Sequence, residues 1–270
     1  MAGECTFWGD PHLKTFDGGR PSFYGEGEFV IARNKDIVIQ GRYLGTQWTA
    51  GLAATDKIVV GGPFLQGHTI AVGCLDDGDI TIDGVVEPAL SAFPGYLNFK
   101  DLASISYDTN GELVDQATEK WDRHIVHMDL PLGVKITVMR WKNYIDLRIS
   151  MNPMEGLDGS CGNFNGDALD DTAEAIMSRI GVHVPSGSNL FNTRADTDVT
   201  MTEAKLLELC SATKASQAEE ACRGELAGLR GAASDPDELK LCVLEHCYGG
   251  NEHALRMAKS LGFVPKTHRL

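Results

Sequence analysis

Residues 134–151, VKITVMRWKNYIDLRISM, carry the clearest structural signal in the chain. Apolar and polar residues alternate on both sides of Lys142-Asn143, which is the pattern of two half-buried β-strands joined by a tight turn. Successive side chains of a strand point to opposite faces, so one face of this hairpin must be covered by other elements. The segment therefore predicts an antiparallel hairpin within a layered β-structure.

Short segments of the same kind precede this hairpin from residue 21 onwards. Turn-forming pairs such as Asp77-Gly78 and Asn110-Gly111 separate them, and the segments are GEFVIARN, DIVIQGRYLG, HTIAVGC, DITIDGVV, ASISYDT and HIVHMDLP. Many short alternating strands with turns between them are typical of two packed antiparallel sheets. The first part of the chain is therefore predicted to be mainly β and sandwich-like.

After about residue 171 the hydrophobic period changes to that of helices. Three segments show it: MTEAKLLELC, SQAEEACRGELAGLR with a capping box at Ser216 and Glu219, and SDPDELKLCVLEHCY with Pro236 in its first turn. The stretch GVHVPSGSNLFNTRADTD, rich in turn-forming residues, precedes them as a connection. We predict a β domain over residues 1–195 and a small α-helical, cysteine-containing subdomain over residues 196–270.

Composition excludes several classes of function. The formal net charge is −14 and no basic run occurs, which argues against nucleic acid and favours cations as ligands. There is no apolar run of about eighteen residues, so no membrane span is expected. The first residues lack the basic and then apolar pattern of a secretory signal, so a secreted chain would have lost its leader.

The seven cysteines favour disulfides over metal thiolates. Cys5, Cys74 and Cys161 are scattered, no C-x-x-C pair occurs, and the last quarter of the chain holds Cys210, Cys222, Cys242 and Cys247. Four cysteines in a short helical tail suit two disulfides formed in an oxidising compartment, with three pairings open. The alternative is a cytosolic chain with buried free thiols.

Residues 159–171, GSCGNFNGDALDD, concentrate oxygen donors in one loop. Asn163, Asn165 and Asp167 alternate and are followed by Asp170 and Asp171, a pattern that suits calcium because calcium takes about six to eight oxygens. The loop differs from an EF-hand, since Ala168 replaces the turn glycine and a strand precedes it. The competing interpretation is a solvated turn.

Residues 5–19, CTFWGDPHLKTFDGG, form a second unusual segment. The side chain of Asp10 could attack its own peptide carbonyl with the nitrogen of Pro11 as leaving group, and His12 could relay the proton. Cleavage at Asp10-Pro11 is therefore one hypothesis. The structural alternative is a turn shaped by Pro11 and Asp10, with His12 hydrogen-bonded in the core.

The two segments together resemble the von Willebrand factor type D (VWD) domain, found in mucins, adhesion proteins, vitellogenins and repulsive guidance molecules. The motif GDPHLKTFDG lies about 145 residues before GSCGNFNGDALDD, and this order and separation match the family. The resemblance covers roughly residues 1–195. The helical tail resembles only weakly the cysteine-rich helical module that often follows such domains.

The resemblance implies a calcium site and a disulfide between Cys5 and Cys161. The implied ligands are Asp17, Asn163, Asn165, the backbone carbonyl of Asp167, Asp170 and Asp171. Two further family cysteines are missing, because Asp158 and Gly27 occupy their positions. Cys74 is then left without an obvious partner. It is either a buried thiol or part of an intermolecular disulfide, and its place at a strand end favours the buried thiol.

The expected function is that of a secreted or extracellular, non-enzymatic, calcium-binding module for adhesion, matrix structure or assembly. Its expected partners are other extracellular or matrix proteins or further copies of itself. The alternatives are a secreted enzyme or luciferase-like photoprotein built on a VWD domain, or a module that cleaves itself at Asp10-Pro11.

Overall fold

A computed structural model describes residues 2–9, 12–45, 53–108, 124–181, 183–191, 203–227 and 236–248. The chain divides into two compact units, one formed by Met1–Leu44 with Ala53–Thr200 and the other by Gly45–Leu52 with Met201–Leu270. We call them the β unit and the helical unit. The predicted domain boundary at residues 195 and 196 lies outside the described residues and stays a prediction.

The β unit is built from antiparallel strands. In chain order they are β1 (Gly3–Trp8), β2 (His12–Lys14), β3 (Gly27–Arg33), β4 (Val38–Gly45), β5 (Ala53–Gly61), β6 (Ile70–Gly73), β7 (Thr81–Ile82), β8 (Val85–Val86), β9 (Gly95–Phe99), β10 (Ala103–Asp108), β11 (His124–Asp129), β12 (Lys135–Arg140) and β13 (Ile145–Met151). A seven-stranded sheet has the order β2-β1-β13-β12-β11-β10-β9, and a six-stranded sheet has the order β3-β4-β5-β6-β7-β8. The predicted fold class, mainly β with a small helical part, is confirmed.

The predicted hairpin lies in the middle of the seven-stranded sheet. Strand β12 pairs with β13 so that Ile136 faces Ile149 and Val138 faces Leu147, and the turn closes with a hydrogen bond from the Trp141 N–H to the Tyr144 carbonyl (2.9 Å). The other neighbour of β13 is β1. The chain's first strand is thereby paired with the strand that precedes residues 159–171.

Both sheets contribute to one continuous apolar core. Phe7 and Val138 come from the larger sheet and Ile31, Ile39 and Ile58 from the smaller one, and all five are essentially inaccessible to solvent. Burying each aliphatic side chain contributes about 1.5 to 3 kcal/mol relative to exposure. The core therefore holds the two sheets face to face, as the alternating strands require.

Helices occur at the end of the β unit and in the helical unit. Their bounds are α1 (Ala173–Ile180), α2 (Glu203–Leu209), α3 (Ala212–Ala227) and α4 (Pro236–Tyr248). In the helical unit, disulfides join Cys210 to Cys247 and Cys222 to Cys242, which selects one of the three possible pairings. Within the described ranges, no helix combines the length and the apolar character needed to cross a bilayer.

Cys74 is a buried free thiol. It follows β6, and its Sγ donates to Oδ1 of Asp56 on β5 (3.4 Å). Burial, assisted by the negative charge of Asp56, raises the pKa of Cys74 to about 12. The thiol therefore stays protonated at neutral pH, and the reactive thiolate is scarce.

We expect Cys74 to resist alkylation in the folded protein. At pH 8 an iodoacetamide time course followed by mass spectrometry should show almost no modification under native conditions and one carbamidomethyl group per chain in urea without reductant. The Cys74→Ala variant is the control and should take up none in urea. Rapid labelling of the native wild type would contradict both the burial and the raised pKa.

Candidate metal centre

The first half of the candidate site is a tight turn after β2. The Thr15 N–H donates to the Gly19 carbonyl (2.9 Å), and the Gly18 N–H donates to the Thr15 carbonyl (3.1 Å). These bonds place Asp17 near the tip of the turn, where its side chain is only partly buried. The turn thus places the Asp17 carboxylate beyond the end of β2.

The second half, residues 159–171, is anchored to both sheets. Its first residues hydrogen-bond to β3, with the Ser160 N–H on the Val30 carbonyl (2.9 Å) and the Cys161 N–H on the Ile31 carbonyl (3.0 Å). A disulfide joins Cys161 to Cys5 on β1, as the resemblance implies, with the Cα atoms 5.7 Å apart. This loop, which we call the acidic loop, is therefore fixed at its start by both sheets.

Aromatic packing brings the two halves together. The Phe164 ring stacks on Phe16 with centroids 4.8 Å apart and 13° between the ring planes. The tip of the same ring lies against Gly3, where an added Cβ would lie only 2.4 Å from Phe164 Cζ. A larger residue at position 3 would therefore force the Phe164 ring to shift from this position between β1 and the turn that carries Asp17.

Direct hydrogen bonds connect Asp17 to the acidic loop. Its two carboxylate oxygens accept from the backbone N–H groups of Asn165 (3.0 Å) and Gly166 (2.9 Å). One oxygen of Asp170 accepts from the side-chain amides of Asn163 (2.9 Å) and Asn165 (2.8 Å). Four of the six predicted ligand residues therefore converge, although residues 17 and 163–170 are far apart in sequence.

The remaining two predicted ligands differ in their surroundings. The Asp167 side chain is exposed and accepts from the Leu169 N–H (2.9 Å), so its carboxylate caps the short 3₁₀ turn Ala168–Asp170. Asp171 is fully buried, and its Oδ2 accepts from the Thr15 hydroxyl (2.5 Å). Sequence reasoning missed Thr15, which connects the first half of the site to the end of the acidic loop.

Two carboxylate oxygens at the candidate site lack a hydrogen-bond donor. Oδ1 of Asp170 and Oδ1 of Asp171 are both buried and accept no hydrogen bond. Burial raises the pKa of Asp171, and the negative charges of Asp17 and Asp170 raise it further. The pKa of Asp170 is lowered by the hydrogen bonds from Asn163 and Asn165. Buried acceptors without donors are rare in folded proteins and are often explained by an ion or a water.

The donor set fits a hard cation such as calcium. The available atoms are carboxylate and amide oxygens, and the amide oxygens of Asn163 and Asn165 each accept one backbone N–H bond, which leaves a second lone pair free. Gly162, with φ of +82°, lies against Asp171, and a Cβ there would lie 2.4 Å from both carboxylate oxygens. The chain therefore leaves room beside this carboxylate that any larger residue would fill.

Of the three residues in the cleavage hypothesis, the structure describes His12. Asp10 and Pro11 lie outside the described residues, so the hypothesis stays a prediction. His12 is buried, and its Nδ1 is hydrogen-bonded to the Ser22 hydroxyl (2.9 Å). His12 thus has the environment of a structural core histidine.

Comparison with known proteins gives distant similarity. No known family model matches the chain. It is 24% identical over 180 residues to the IgGFc-binding protein of Homo sapiens, 28% identical over 177 residues to SCO-spondin of Gallus gallus, and 27% identical over 177 residues to hemocytin of Bombyx mori. Each match covers 63% of this chain but only 3%, 3% and 5% of these relatives, respectively. They are extracellular mosaic proteins that contain VWD domains, which is consistent with a VWD-like β unit here.

Proposed function

We propose that the β unit is a VWD-like, non-enzymatic, extracellular calcium-binding module that serves adhesion, matrix structure or assembly. Its calcium ligands are the side chains of Asp17, Asn163, Asn165, Asp170 and Asp171 with the backbone carbonyl of Asp167. The observation that carries the proposal is the pair of buried carboxylate oxygens on Asp170 and Asp171 that accept no hydrogen bond. Calcium supplies positive charge there and no chemistry beyond coordination.

The residues of the chain give the ion a structural role. Asp17 comes from the turn after β2, whereas the other ligands come from the acidic loop that follows β13. An ion held by both would cross-link two segments that the Cys5–Cys161 disulfide already joins nearby. Calcium would therefore stabilise this end of the β unit and fix the surface of the acidic loop for contact with a partner.

Distant relatives and disulfides support the extracellular assignment. The three disulfides suit an oxidising compartment, and the distant relatives are extracellular mosaic proteins. The proposed partners are accordingly other extracellular or matrix proteins or further copies of this module. A chain that matches only a small part of each relative is expected to contribute one module to such an assembly.

We expect calcium to raise the melting temperature of the β unit. A ligand at a hundred times its Kd stabilises the folded state by about 2.7 kcal/mol. For a unit of this size that corresponds to a rise of roughly 5 to 10 °C. The measurement is a thermal melt followed by circular dichroism, after chelation and again after calcium is restored.

Magnesium at the same concentration is the control for general cation screening, and it should give a smaller rise because it favours a rigid octahedral shell that retains water. Equal melting temperatures in chelator and in calcium would refute the metal site. Equal shifts with both metals would refute its preference for calcium.

A further inference from the structure

Arg179, on the last turn of α1, is placed against the end of the acidic loop. Its Nε and Nη2 atoms donate to the two carboxylate oxygens of Asp158 (3.0 and 3.2 Å). Its Nη1 donates to the backbone carbonyl of Asp170 (2.7 Å), and its Nη2 lies 3.6 Å from Oδ1 of Asp171. The Arg179 guanidinium therefore pairs with Asp158, donates to the Asp170 carbonyl and lies near the carboxylate of Asp171.

Asp158, the ion-pair partner of Arg179, is hydrogen-bonded to the smaller sheet. Asp158 exchanges two backbone hydrogen bonds with Arg33 on β3, at 2.8 and 3.0 Å. The side chains of Arg179 and Asp158 are only 26% and 24% exposed, so their bidentate pair is partly shielded from water. Such fork-to-carboxylate pairs fix geometry as well as charge. The guanidinium is thus held beside the acidic loop by the sheet and does not depend on an ion for its position.

Arg179 contacts Asp171 through charge and not through a hydrogen bond. At 3.6 Å the guanidinium is close enough to offset the charge of that carboxylate, yet Oδ1 of Asp171 still accepts no hydrogen bond. A cation bound at the same oxygen would therefore meet a positive charge already in place.

We propose that Arg179 is a built-in counter-ion of the acidic loop, which stabilises the calcium-free fold and at the same time weakens calcium binding. This inference rests on the proposed function, because it concerns the affinity of the same site. The two effects are linked by a thermodynamic cycle: if Arg179 stabilises the calcium-free state more than the calcium-bound state, its removal must raise the affinity of the folded protein for calcium.

The test compares three variants with the wild type. Arg179→Gln removes the charge and most of the fork, whereas Asp158→Asn breaks the bidentate pair but keeps the Arg179 charge. Arg223→Gln removes an equal charge from an exposed pair with Glu219 in the helical unit, and so controls for net charge. Calcium affinity is measured by isothermal titration calorimetry on chelator-treated protein, and melting temperature is measured with and without calcium.

We expect Arg179→Gln to lower the stability of the calcium-free protein and to raise its affinity for calcium. Without calcium its melting temperature should fall by about 3 to 6 °C, since a partly shielded, charge-assisted pair and a carbonyl contact are lost. Its affinity for calcium should rise about tenfold, which is typical of a coupled pair of sites. Asp158→Asn should also melt lower, but its affinity should not rise, and Arg223→Gln should resemble the wild type in affinity.

If Arg179 had a merely structural role, replacing it would lower both the stability of the fold and its affinity for calcium. An affinity of Arg179→Gln that is unchanged or reduced, in a wild type that does bind calcium, would overturn the inference and leave the proposed function intact. A calcium-free melting temperature equal to that of the wild type would overturn it as well. Failure of the wild type to bind calcium would refute the proposed function itself, together with this inference.

Discussion

Replacing both Cys5 and Cys161 by alanine is expected to lower the free energy of unfolding of the β unit by about 5 kcal/mol. The two residues are 156 positions apart, so the disulfide closes a very long loop and removes much entropy from the unfolded chain. For a unit of this size the melting temperature should fall by roughly 10 to 20 °C. Urea denaturation and thermal melts followed by circular dichroism measure both quantities.

Cys74→Ala is the matched control for the double replacement. It also removes a buried sulfur, which is 2% exposed, but it opens no loop because Cys74 is a free thiol. It should cost no more than about 1 to 2 kcal/mol, the effect of a small cavity and one weak hydrogen bond. A double variant that melts within about 3 °C of Cys74→Ala would contradict a dominant role for the disulfide.

The strands could be predicted from the sequence because their signal is local. Alternation in residues 134–151 indicates two strands and a turn, and β12 and β13 form there with Trp141 and Tyr144 at the turn. The order of the sheet could not be predicted in the same way. The pairing of Cys5 with Ile149 joins residues from opposite ends of the β unit, and no local pattern encodes which distant edge a strand will find.

The helix start at Ser216 was predicted wrongly. Helix α3 begins at Ala212, and the Lys214 N–H points to the hydroxyl of Ser211 (3.3 Å), so Ser211 occupies the capping position. The sequence pattern of Ser216 and Glu219 occurs inside the helix instead. A capping box is recognised by residue types at fixed spacing, and the same spacing also arises by chance within a helical segment.

The candidate site also combines residues that the sequence reveals with residues that only the folded chain brings together. The oxygen donors of the acidic loop are visible in sequence because Asn163, Asn165 and Asp170 are neighbours. Thr15 and Arg179 could not be recognised in the sequence, because tertiary contacts bring the turn that holds Thr15 and the helix that holds Arg179 beside the loop. Asp158 stands where the resemblance implies a cysteine, and the structure pairs it with Arg179, so an ionic contact occupies that position.

Asp171 is the proposed ligand whose neutralisation separates metal binding from folding most clearly. Its side chain is completely buried, and burial together with the charges of Asp17 and Asp170 raises its pKa against the opposing effects of the Thr15 hydrogen bond and Arg179. Ionising this carboxylate therefore costs more than ionising an exposed one. Asparagine has the same shape and can still accept the hydrogen bond from Thr15. The substitution therefore removes the charge proposed to bind calcium and keeps the hydrogen bond from Thr15. The attraction to Arg179 at 3.6 Å is lost, but the repulsion from Asp17 and Asp170 and the cost of burying the charge are lost with it.

We expect Asp171→Asn to bind calcium about a hundredfold more weakly, a loss of about 2.7 kcal/mol, because a neutral oxygen replaces a buried charged ligand. Its melting temperature in chelator should equal or exceed that of the wild type, and the rise on adding calcium should disappear. Calorimetric titration and paired melts measure these effects. Asp167→Asn is the matched control: its exposed carboxylate only caps the Leu169 N–H, and its proposed ligand atom is the backbone carbonyl, so affinity should change less than about tenfold. An Asp171→Asn variant that keeps wild-type affinity would exclude this carboxylate from the metal site, and one that unfolds in chelator would show that its charge is needed for folding instead.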